Sequence, residues 1–432
     1  MNKTAITAIH AYEILDSRGR PTIEARIQLA NGIEAGAQVP SGASTGSSEA
    51  HELRDGDPGR HCGLGVRNAC NNVNREIATH LSGADALNQQ SIDRLMIDLD
   101  GTPDKTRLGA NAILAVSCAV ARAAASSSGQ PLWRYLAASR TPALPLPMVN
   151  ILSGGLHAGR AMEFQDFLAV PWAAQSFAQA MEWIASIHRS ARELLEQRGA
   201  YFTGVADEGG WGPRLKTNEE ALEILTRAIE HAGLIPGEQV SIAIDVAASH
   251  FFAGGQYNLA SEQRSMDAPA FIALLESWCK KYPVVSLEDG LEQNAWDHWP
   301  TLTQRLGAQV QVIGDDFLTT NPTRLSRAIE ANAANAVLVK MNQIGTLTET
   351  FAVIDMARAA GWRAVVSARS GETEDAFLAD LAIASGMCQL KVGSITRSER
   401  LAKYNRLLIL EQTNQLPHWS QFPALLPPRW TP

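Results

Sequence analysis

Six ionisable residues stand at the same kind of place in the second half of the chain. Each directly follows a short, mostly apolar run of three to five residues, which is typical of a buried strand. A single charge after a strand is usually a helix cap or a solvated loop residue. Active sites of α/β barrels, however, are assembled from the carboxyl ends of successive strands. The pattern therefore predicts one site formed by Asp245, Glu288, Asp315, Lys340, Arg369 and Lys391.

The side chains of this set suit metal-assisted removal of a proton. Three carboxylates without histidine or thiol partners are hard oxygen donors of the kind that Mg²⁺ prefers. A lysine beside a metal ion and a second cation should have its ammonium form disfavoured, so Lys340 is a candidate general base. Arg369 and Ser370 offer a forked donor and a hydroxyl, which suit a phosphate group. Together they predict a site that abstracts a proton α to a carboxylate.

Alternating strands and helices must position these residues. Helical patterns at residues 218–232, 268–281 and 347–360 alternate with the apolar runs. Such alternation predicts βα units and a parallel sheet.

The first third of the chain has a different pattern, with a strand predicted over 22–29 and helices over 91–99 and 108–125. The small-residue stretch at 40–46 predicts a mobile loop. The proline-rich segment at 141–147 predicts a rigid connector between two domains.

Composition narrows the class of protein. The 432 residues are 45% hydrophobic and 19% charged, which is typical of a globular protein long enough for two domains. A net charge of -8 without a Lys/Arg run argues against nucleic-acid binding. Five scattered cysteines without a CxxC pair favour free thiols in a reducing compartment. With no apolar signal core near residue 1 and no apolar run long enough to span a bilayer, we expect a cytoplasmic protein that does not bind membranes.

Long motifs in a fixed order identify a known family. The chain resembles enolase from residues 11–19 near its start to 397–405 near its end. Between these segments stand PSGASTG at 40–46, LRDGD at 53–57, LGANAIL at 108–114, ADEGGWGP at 206–213, SLEDG at 286–290, GDD at 314–316, VKMNQIGTLTET at 339–350 and SARSGETED at 367–375. Motifs of this length are far more specific than a short signature.

The resemblance implies an α/β fold of two domains. Residues 1–138 would form an N-terminal α+β cap domain with a mobile lid loop at 40–48. Residues 139–432 would form an enolase-type (β/α)8 barrel that carries the catalytic residues. It also implies two Mg²⁺ ions per active site, a small substrate with carboxylate and phosphate groups, and a homodimer or higher homo-oligomer. A lysine base with magnesium is the known solution of the enolase superfamily.

Site roles carry over residue by residue. The resemblance implies metal binding by Asp245, Glu288, Asp315 and, for the second ion, Ser44 in the lid. It implies catalytic roles for Lys340 as the base, Glu208 as the acid for the leaving hydroxyl, and His157 and Asp166 at neighbouring active-site positions. It implies substrate contacts from Ser44, Gln165, Arg369, Ser370 and Lys391.

Several neighbours depart from the family pattern. Ala368 replaces a histidine, Asp166 a glutamate, and Val392 a threonine. Further differences are Ser48 for a histidine, His250 for a glutamate, Ser153 and Leu156 in a Gly-rich segment, and the added cation of Arg160. Loss of a histidine and shortening of a carboxylate would open space, and Arg160 would suit an extra negative charge. The changes thus lie around the leaving-group and phosphate side.

Three functions remain open from the sequence. The first is a specialised lyase acting on a modified analogue of 2-phosphoglycerate, similar to carboxyphosphonoenolpyruvate synthase of phosphonate and phosphinate natural-product biosynthesis. The second is an ordinary phosphopyruvate hydratase, which converts 2-phosphoglycerate to phosphoenolpyruvate in glycolysis. The third is a non-catalytic structural or surface-binding relative, which the complete set of carboxylates and lysines disfavours.

Overall fold

An antiparallel sheet of three strands opens the chain: β1 (Ile6–Leu15), β2 (Pro21–Leu29) and β3 (Glu34–Gln38). The structure is a computed structural model that describes residues 2–42, 45–160, 162–199, 204–387 and 389–413. Alternate side chains of β2 are buried, as expected for a sheet with one face on a core. The strand predicted over 22–29 is therefore confirmed.

Five helices follow this sheet: α1 (Arg67–Asn72), α2 (Ala78–Leu81), α3 (Gln89–Asp100), α4 (Ala110–Ser127) and α5 (Leu132–Ala137). A π-helical segment, Val73–Ile77, joins α1 to α2. Among the described residues, α4 is the one helix long and apolar enough to cross a membrane, but 83% of it is buried inside the protein. Its alanines allow β2 and β3 to pack closely against it, so α4 is a core helix.

The remaining strands form a closed barrel and one small sheet. In chain order they are β4 (Leu146–Ser153), β5 (Asp166–Val170), β6 (Ser241–Asp245), β7 (Phe252–Ala253), β8 (Gln256–Leu259), β9 (Arg264–Met266), β10 (Val284–Glu288), β11 (Gln311–Gly314), β12 (Ala336–Val339), β13 (Arg363–Ser367) and β14 (Gln389–Gly393). The barrel closes in the order β10-β11-β12-β13-β14-β4-β5-β6, and β7–β9 pair separately. Because β4 begins at Leu146, the proline-rich connector is shorter than predicted and its last two residues belong to the barrel.

Helices surround the barrel: α6 (Phe177–Gln197), α7 (Asn218–His231), α8 (Ala268–Lys281), α9 (Trp299–Leu306), α10 (Pro322–Glu330), α11 (Met341–Ile344), α12 (Leu347–Ala359), α13 (Phe377–Ser385) and α14 (Ser398–Gln412). Five of them begin after a side chain that caps a free N–H of the first turn, namely Ser176, Thr217, Asp267, Asn321 and Thr346. The helices predicted over 218–232, 268–281 and 347–360 match α7, α8 and α12 to within a residue.

One barrel strand runs against the expectation of a wholly parallel sheet. β5 is antiparallel to both β4 and β6, while the other neighbouring strands of the barrel are parallel. The cause is the connection of β4 to β5 by residues 154–165: the described part of this loop contains one 3₁₀ turn, Gly155–Ala158, and no α-helix, whereas a parallel neighbour is usually reached through a helical crossover. The start of β5 therefore lies at the same edge as the end of β6.

Two apolar clusters hold the barrel together. The inner one fills the barrel with side chains such as Met148, Leu168, Ile313 and Leu338, all buried. The outer one lies between the strands and the surrounding helices and continues into the cap. A filled barrel leaves only its rim for chemistry. The described cysteines Cys62, Cys70, Cys118 and Cys279 are free thiols, as predicted, and Cys388 lies outside the described residues.

Candidate active site

The strand ends bring the predicted residues to one rim of the barrel. Asp245 and Glu288 are the last residues of β6 and β10, and Asp315 and Lys340 directly follow β11 and β12. The prediction that each ionisable residue follows its strand is wrong for Lys391, which lies inside β14, two residues before its end. Lys391 still reaches the rim through its long side chain.

Two lysines join the three carboxylates into one buried cluster. Lys391 Nζ donates to Asp245 Oδ2 at 2.8 Å and to Glu288 Oε1 at 2.7 Å. Lys340 Nζ contacts Asp315 Oδ2 at 2.5 Å. All five residues are buried, with exposed fractions between 2% and 8%. Ion pairs so poorly solvated interact strongly.

The carboxylates control the protonation of both lysines. Burial lowers the pKa of Lys391, but Asp245 and Glu288 outweigh it and hold that pKa well above its usual value. Burial likewise lowers the pKa of Lys340, but the carboxylates of Asp315 and Glu288 act against it, and the net shift is upward. This direction is opposite to the one expected from a neighbouring cation, because the neighbouring carboxylates outweigh the effect of the cations.

The donor set fits a hard divalent cation. Asp245, Glu288 and Asp315 present carboxylate oxygens that neighbouring amides orient: Gln165 Nε2 donates to Asp245 at 3.0 Å, and Gln343 Nε2 to Asp315 at 2.9 Å. Oxygen ligands of this kind, held by a surrounding hydrogen-bond network, suit Mg²⁺. These three residues are the ones that would hold it.

Other groups of ligand atoms lie close together at the same rim. Asp289, Asp315 and Asp316 have carboxylate oxygens within 4.8 Å of one another, as do ligand atoms of His157, Asp166 and Glu208. Asp289 uses its two oxygens to accept the backbone N–H groups of Asp315 and Asp316, each at 2.8 Å. Asp289 therefore orients the strand end that carries Asp315.

A second side of the site is built around His157. The 3₁₀ turn Gly155–Ala158 carries this residue, and its Nδ1 lies 3.0 Å from Asp166 Oδ2. On the other face, His157 Nε2 lies 3.8 Å from Glu208 Oε1. The other carboxylate oxygen of Asp166 accepts from Ser153 Oγ at 3.0 Å and from Asn150 Nδ2. Asp166 is fully buried and absent from the cavity lining, so it contacts His157 rather than a ligand.

The neighbouring charges and the burial of His157 and Glu208 determine how each side chain is protonated. Burial lowers the pKa of His157, but Asp166 and Glu208 raise it to about 9, so the imidazole is protonated at neutral pH. Burial raises the pKa of Glu208, but the positive charges of His157, Arg400 and the two lysines lower it further. Glu208 is therefore ionised and lies beside a protonated histidine.

The predicted phosphate contacts have partners within the protein. Arg369 NH1 donates to Glu49 Oε2 at 2.9 Å and to Asn342 Oδ1 at 3.0 Å. Ser370 Oγ accepts from Arg18 NH1 at 3.1 Å. The fully buried Arg400 of α14 donates to the backbone carbonyls of both Arg369 and Ser370. A bound phosphate would therefore have to compete with Glu49 for Arg369.

Sequence reasoning missed Glu49, Arg18 and Arg400 as site residues. Each lies in or next to a motif that carries the family resemblance: Arg18 in residues 11–19, Glu49 just after residues 40–46, and Arg400 in residues 397–405. Proximity to those motifs was the available signal. Arg18 and Glu49 lie 352 and 320 residues from their partners, and Arg400 lies 31 and 30 residues from its own, so no local pattern predicts the contacts.

Between the two sides lies a narrow cavity of about 20 Å³. Two of the replaced positions, Ala368 and Val392, line it directly. The remaining lining residues are His157, Gln165, Glu208, Asp245, Lys340, Ser367, Arg369, Ser370 and Lys391. The structure thus places most of the predicted site residues around one cavity, with Glu288 and Asp315 behind its lysines. Ser44 lies outside the described residues.

A closed barrel of strands surrounded by helices, with carboxylates, lysines and a histidine at one rim, defines an α/β-barrel protein with a charged site. Comparison with protein families identifies the family. Residues 6–136 match the enolase N-terminal domain, and residues 141–422 match the enolase C-terminal TIM barrel domain. The chain belongs to the enolase family. The expected fold, an enolase-type barrel with an N-terminal cap, is confirmed.

Proposed function

We propose that the protein is a magnesium-dependent carbon–oxygen lyase that removes the proton α to a carboxylate and then eliminates a β-hydroxyl. The observation that carries this proposal is the buried cluster of Lys340, Lys391 and three carboxylates at the rim of the barrel. A base, a carboxylate-binding cation and a metal-binding carboxylate set are the parts that such a reaction needs.

Each residue of the first side has a defined task in this proposal. Lys391 and Gln165 bind the substrate carboxylate region, while Arg369, Ser370 and Ser44 bind the phosphate end.

The carboxylates of Asp245, Glu288 and Asp315 would hold the first Mg²⁺, and Ser44 would contribute to a second. When bound, Mg²⁺ would supply positive charge that offsets the carboxylates beside the lysines and the negative charge that develops on the substrate carboxylate. With the charge of Asp315 offset, Lys340 releases its own proton to solvent, and its neutral Nζ takes the C2 proton. The electron pair of the broken C–H bond remains on the substrate.

The second side completes the elimination. The electron pair left on the substrate forms the C2–C3 double bond while the bond from C3 to its hydroxyl oxygen breaks. The imidazolium of His157 gives its Nε2 proton to the ionised Glu208, whose Oε1 lies 3.8 Å away, and Glu208 delivers that proton to the departing oxygen. Asp166 acts as a positioning residue, because it holds His157 protonated through Nδ1.

For the substrate, we propose a bulkier or more anionic relative of 2-phosphoglycerate, processed as in carboxyphosphonoenolpyruvate synthase. Two observations support this choice: Ala368 and Val392 line the cavity with small apolar groups, and Asp166 has withdrawn from it. Both changes leave more room near the phosphate and leaving-group side. The intact first side favours a second candidate, the ordinary phosphopyruvate hydratase.

The remaining parts of the proposal concern assembly. We propose a division into a cap at 1–138 and a barrel at 139–432, with residues 40–48 closing as a lid over the cavity. Ser41 already pairs with Gly371 beside Ser370, through hydrogen bonds of 2.7 and 2.9 Å. We further propose a cytoplasmic homodimer.

One assay tests the choice of substrate. The purified protein is incubated with Mg²⁺ and 2-phosphoglycerate, and in parallel with a phosphonoformyl-type analogue, while product formation is followed. The proposal expects faster turnover of the analogue. Turnover of 2-phosphoglycerate at rates normal for an enolase would exclude the specialised function. Turnover of neither substrate would exclude both lyase functions and favour a structural role.

A further inference from the structure

The antiparallel strand β5 brings two loops together at the rim. Because β5 and β6 run in opposite directions, Asp166 pairs with Asp245, and the backbone N–H of Gln165 donates to the carbonyl of Asp245 at 2.9 Å. The loop that enters β5, residues 154–165, therefore lies beside the loop that leaves β6, residues 246–251. This edge adjoins the cavity at His157, Gln165 and Asp245.

The first loop presents a cation that nothing in the described part of the chain neutralises. Arg160 is exposed, and its guanidinium forms no hydrogen bond or ion pair with any described residue. Its backbone has a φ of +61°, and its N–H donates to the carbonyl of Gly155 at 2.6 Å. A residue other than glycine rarely adopts this left-handed conformation, so the turn holds Arg160 in a defined place.

The second loop presents an imidazole with an unused nitrogen. His250 lies in the 3₁₀ turn Ala248–Phe251, which is fixed by stacking of Phe251 on Phe164 at 5.8 Å and by a hydrogen bond from Gln293 N to Ser249 Oγ at 3.0 Å. Its Nδ1 is buried and has no hydrogen-bond partner. A buried polar atom without a partner is uncommon and costly, and a hydrogen bond to a ligand would satisfy it.

The charged groups around His250 act on its pKa in both directions. Burial lowers the pKa of His250, Asp245 raises it, and the positive charges of His157 and Arg160 lower it again. The pairing of β5 with β6 brings the loops that carry Arg160 and His250 to the same edge.

We propose that Arg160 and His250 form a second anion subsite, which binds an additional carboxylate or phosphonate group that projects from the cavity. The guanidinium supplies charge and a forked donor, and the imidazole supplies one further hydrogen bond. The two loops adjoin the cavity at His157, Gln165 and Asp245, so an added anionic group that projects from the cavity would meet them. The inference rests on the proposed function in one respect only, that the cavity holds a 2-phosphoglycerate-type ligand.

Binding of phosphonoformate, a small anion with both groups, tests the subsite. The full-length protein is first saturated with Mg²⁺ and 2-phosphoglycerate, and phosphonoformate is then titrated by calorimetry into wild type, Arg160→Ala, Arg160→Lys and His250→Gln. The control is Arg198→Ala, which removes another exposed arginine, at the end of α6. We expect a Kd about tenfold weaker in Arg160→Ala, because a charge-assisted hydrogen bond contributes at least that much. Smaller losses should occur in Arg160→Lys and His250→Gln, and none in the control.

Three results would overturn the subsite: no binding to wild type, equal affinity in wild type and Arg160→Ala, or equal losses in Arg160→Ala and the control. Failure of the proposed function is measured separately, in the wild-type protein with Mg²⁺, as the absence of C2 proton exchange on both 2-phosphoglycerate and the phosphonoformyl-type analogue. The two failures are thereby distinguishable.

Discussion

The two sides of the cavity are built in different ways. On the first side, side chains from the ends of four strands and from within β14 contact one another directly as ion pairs between Lys340, Lys391 and the carboxylates. On the second side, His157 lies on a short turn and depends on Asp166 and Glu208 for its charge. The first side retains the carboxylates and lysines of the family resemblance, whereas the substitutions lie at Asp166 beside His157 and at Ala368 and Val392 in the cavity wall.

We interpret this difference as a division between residues that carry out the reaction and residues that determine which substrate fits. Proton abstraction next to a carboxylate needs the same charges whatever else the substrate carries, so the strand-end cluster tolerates little change. The region around the leaving group and the phosphate determines which substituents fit, and loops can change there without disturbing the barrel. The proposed function accordingly combines the family's proton abstraction with an altered substrate.

The largest effect should come from breaking the first side at Lys340. In Lys340→Ala, exchange of the C2 proton of the substrate with solvent should fall by a factor on the order of 10²–10⁴, because the base is gone. The exchange is measured by NMR in deuterated buffer with Mg²⁺ present.

Two comparisons make that result specific. Lys280→Ala, which removes an exposed lysine paired with Glu276 on α8, should exchange at the wild-type rate. Added methylamine should restore part of the exchange in Lys340→Ala, since a soluble amine can replace a base but cannot replace a structural contact. Unchanged exchange in Lys340→Ala would show that the base is another residue.

A change of intermediate size should follow from breaking the second side at Asp166. In wild type, the imidazole of His157 should titrate near pH 9, and in Asp166→Asn its pKa should move toward the ordinary value of 6.5. Because the folded-state pKa is raised, the ion pair stabilises the fold fully below about pH 6.5 and loses that effect as the pH rises through about 9. The variant should lack this pH dependence.

Histidine NMR signals followed from pH 4 to 10 check this prediction, with His188 as an internal reference. Burial lowers the pKa of His188 to about 4, and that value should not respond to Asp166→Asn. A wild-type pKa for His157 near 6.5, or no shift in the variant, would show that Asp166 does not hold its charge.

The smallest effect should come from restoring the family residues on the second side. Combining Ala368→His with Asp166→Glu should shift the ratio of kcat/KM for 2-phosphoglycerate over the phosphonoformyl-type analogue by about tenfold toward 2-phosphoglycerate, as expected for a modest change of pocket shape. Ala178→His, at an exposed position of α6, serves as the control. If the double variant keeps the wild-type ratio, these two positions do not determine specificity.

The sequence by itself determined the fold class, most of the predicted strands and helices, and the types of side chain at the barrel rim. The physical reason is that these features depend on residues that are close together in the sequence. Hydrophobic periodicity specifies each strand, and parallel strands place their carboxyl ends at one edge of the sheet, so residues such as Asp245 and Glu288 converge without further information.

Only the tertiary structure decided the orientation of β5, the withdrawal of Asp166, the raised pKa of Lys340 and the pairing of Arg369 with Glu49. These properties depend on contacts between distant parts of the chain; Glu49 and Arg369 are 320 residues apart in sequence. Charge states in a buried site depend on which groups lie within a few ångströms, and no periodicity in the sequence encodes that distance.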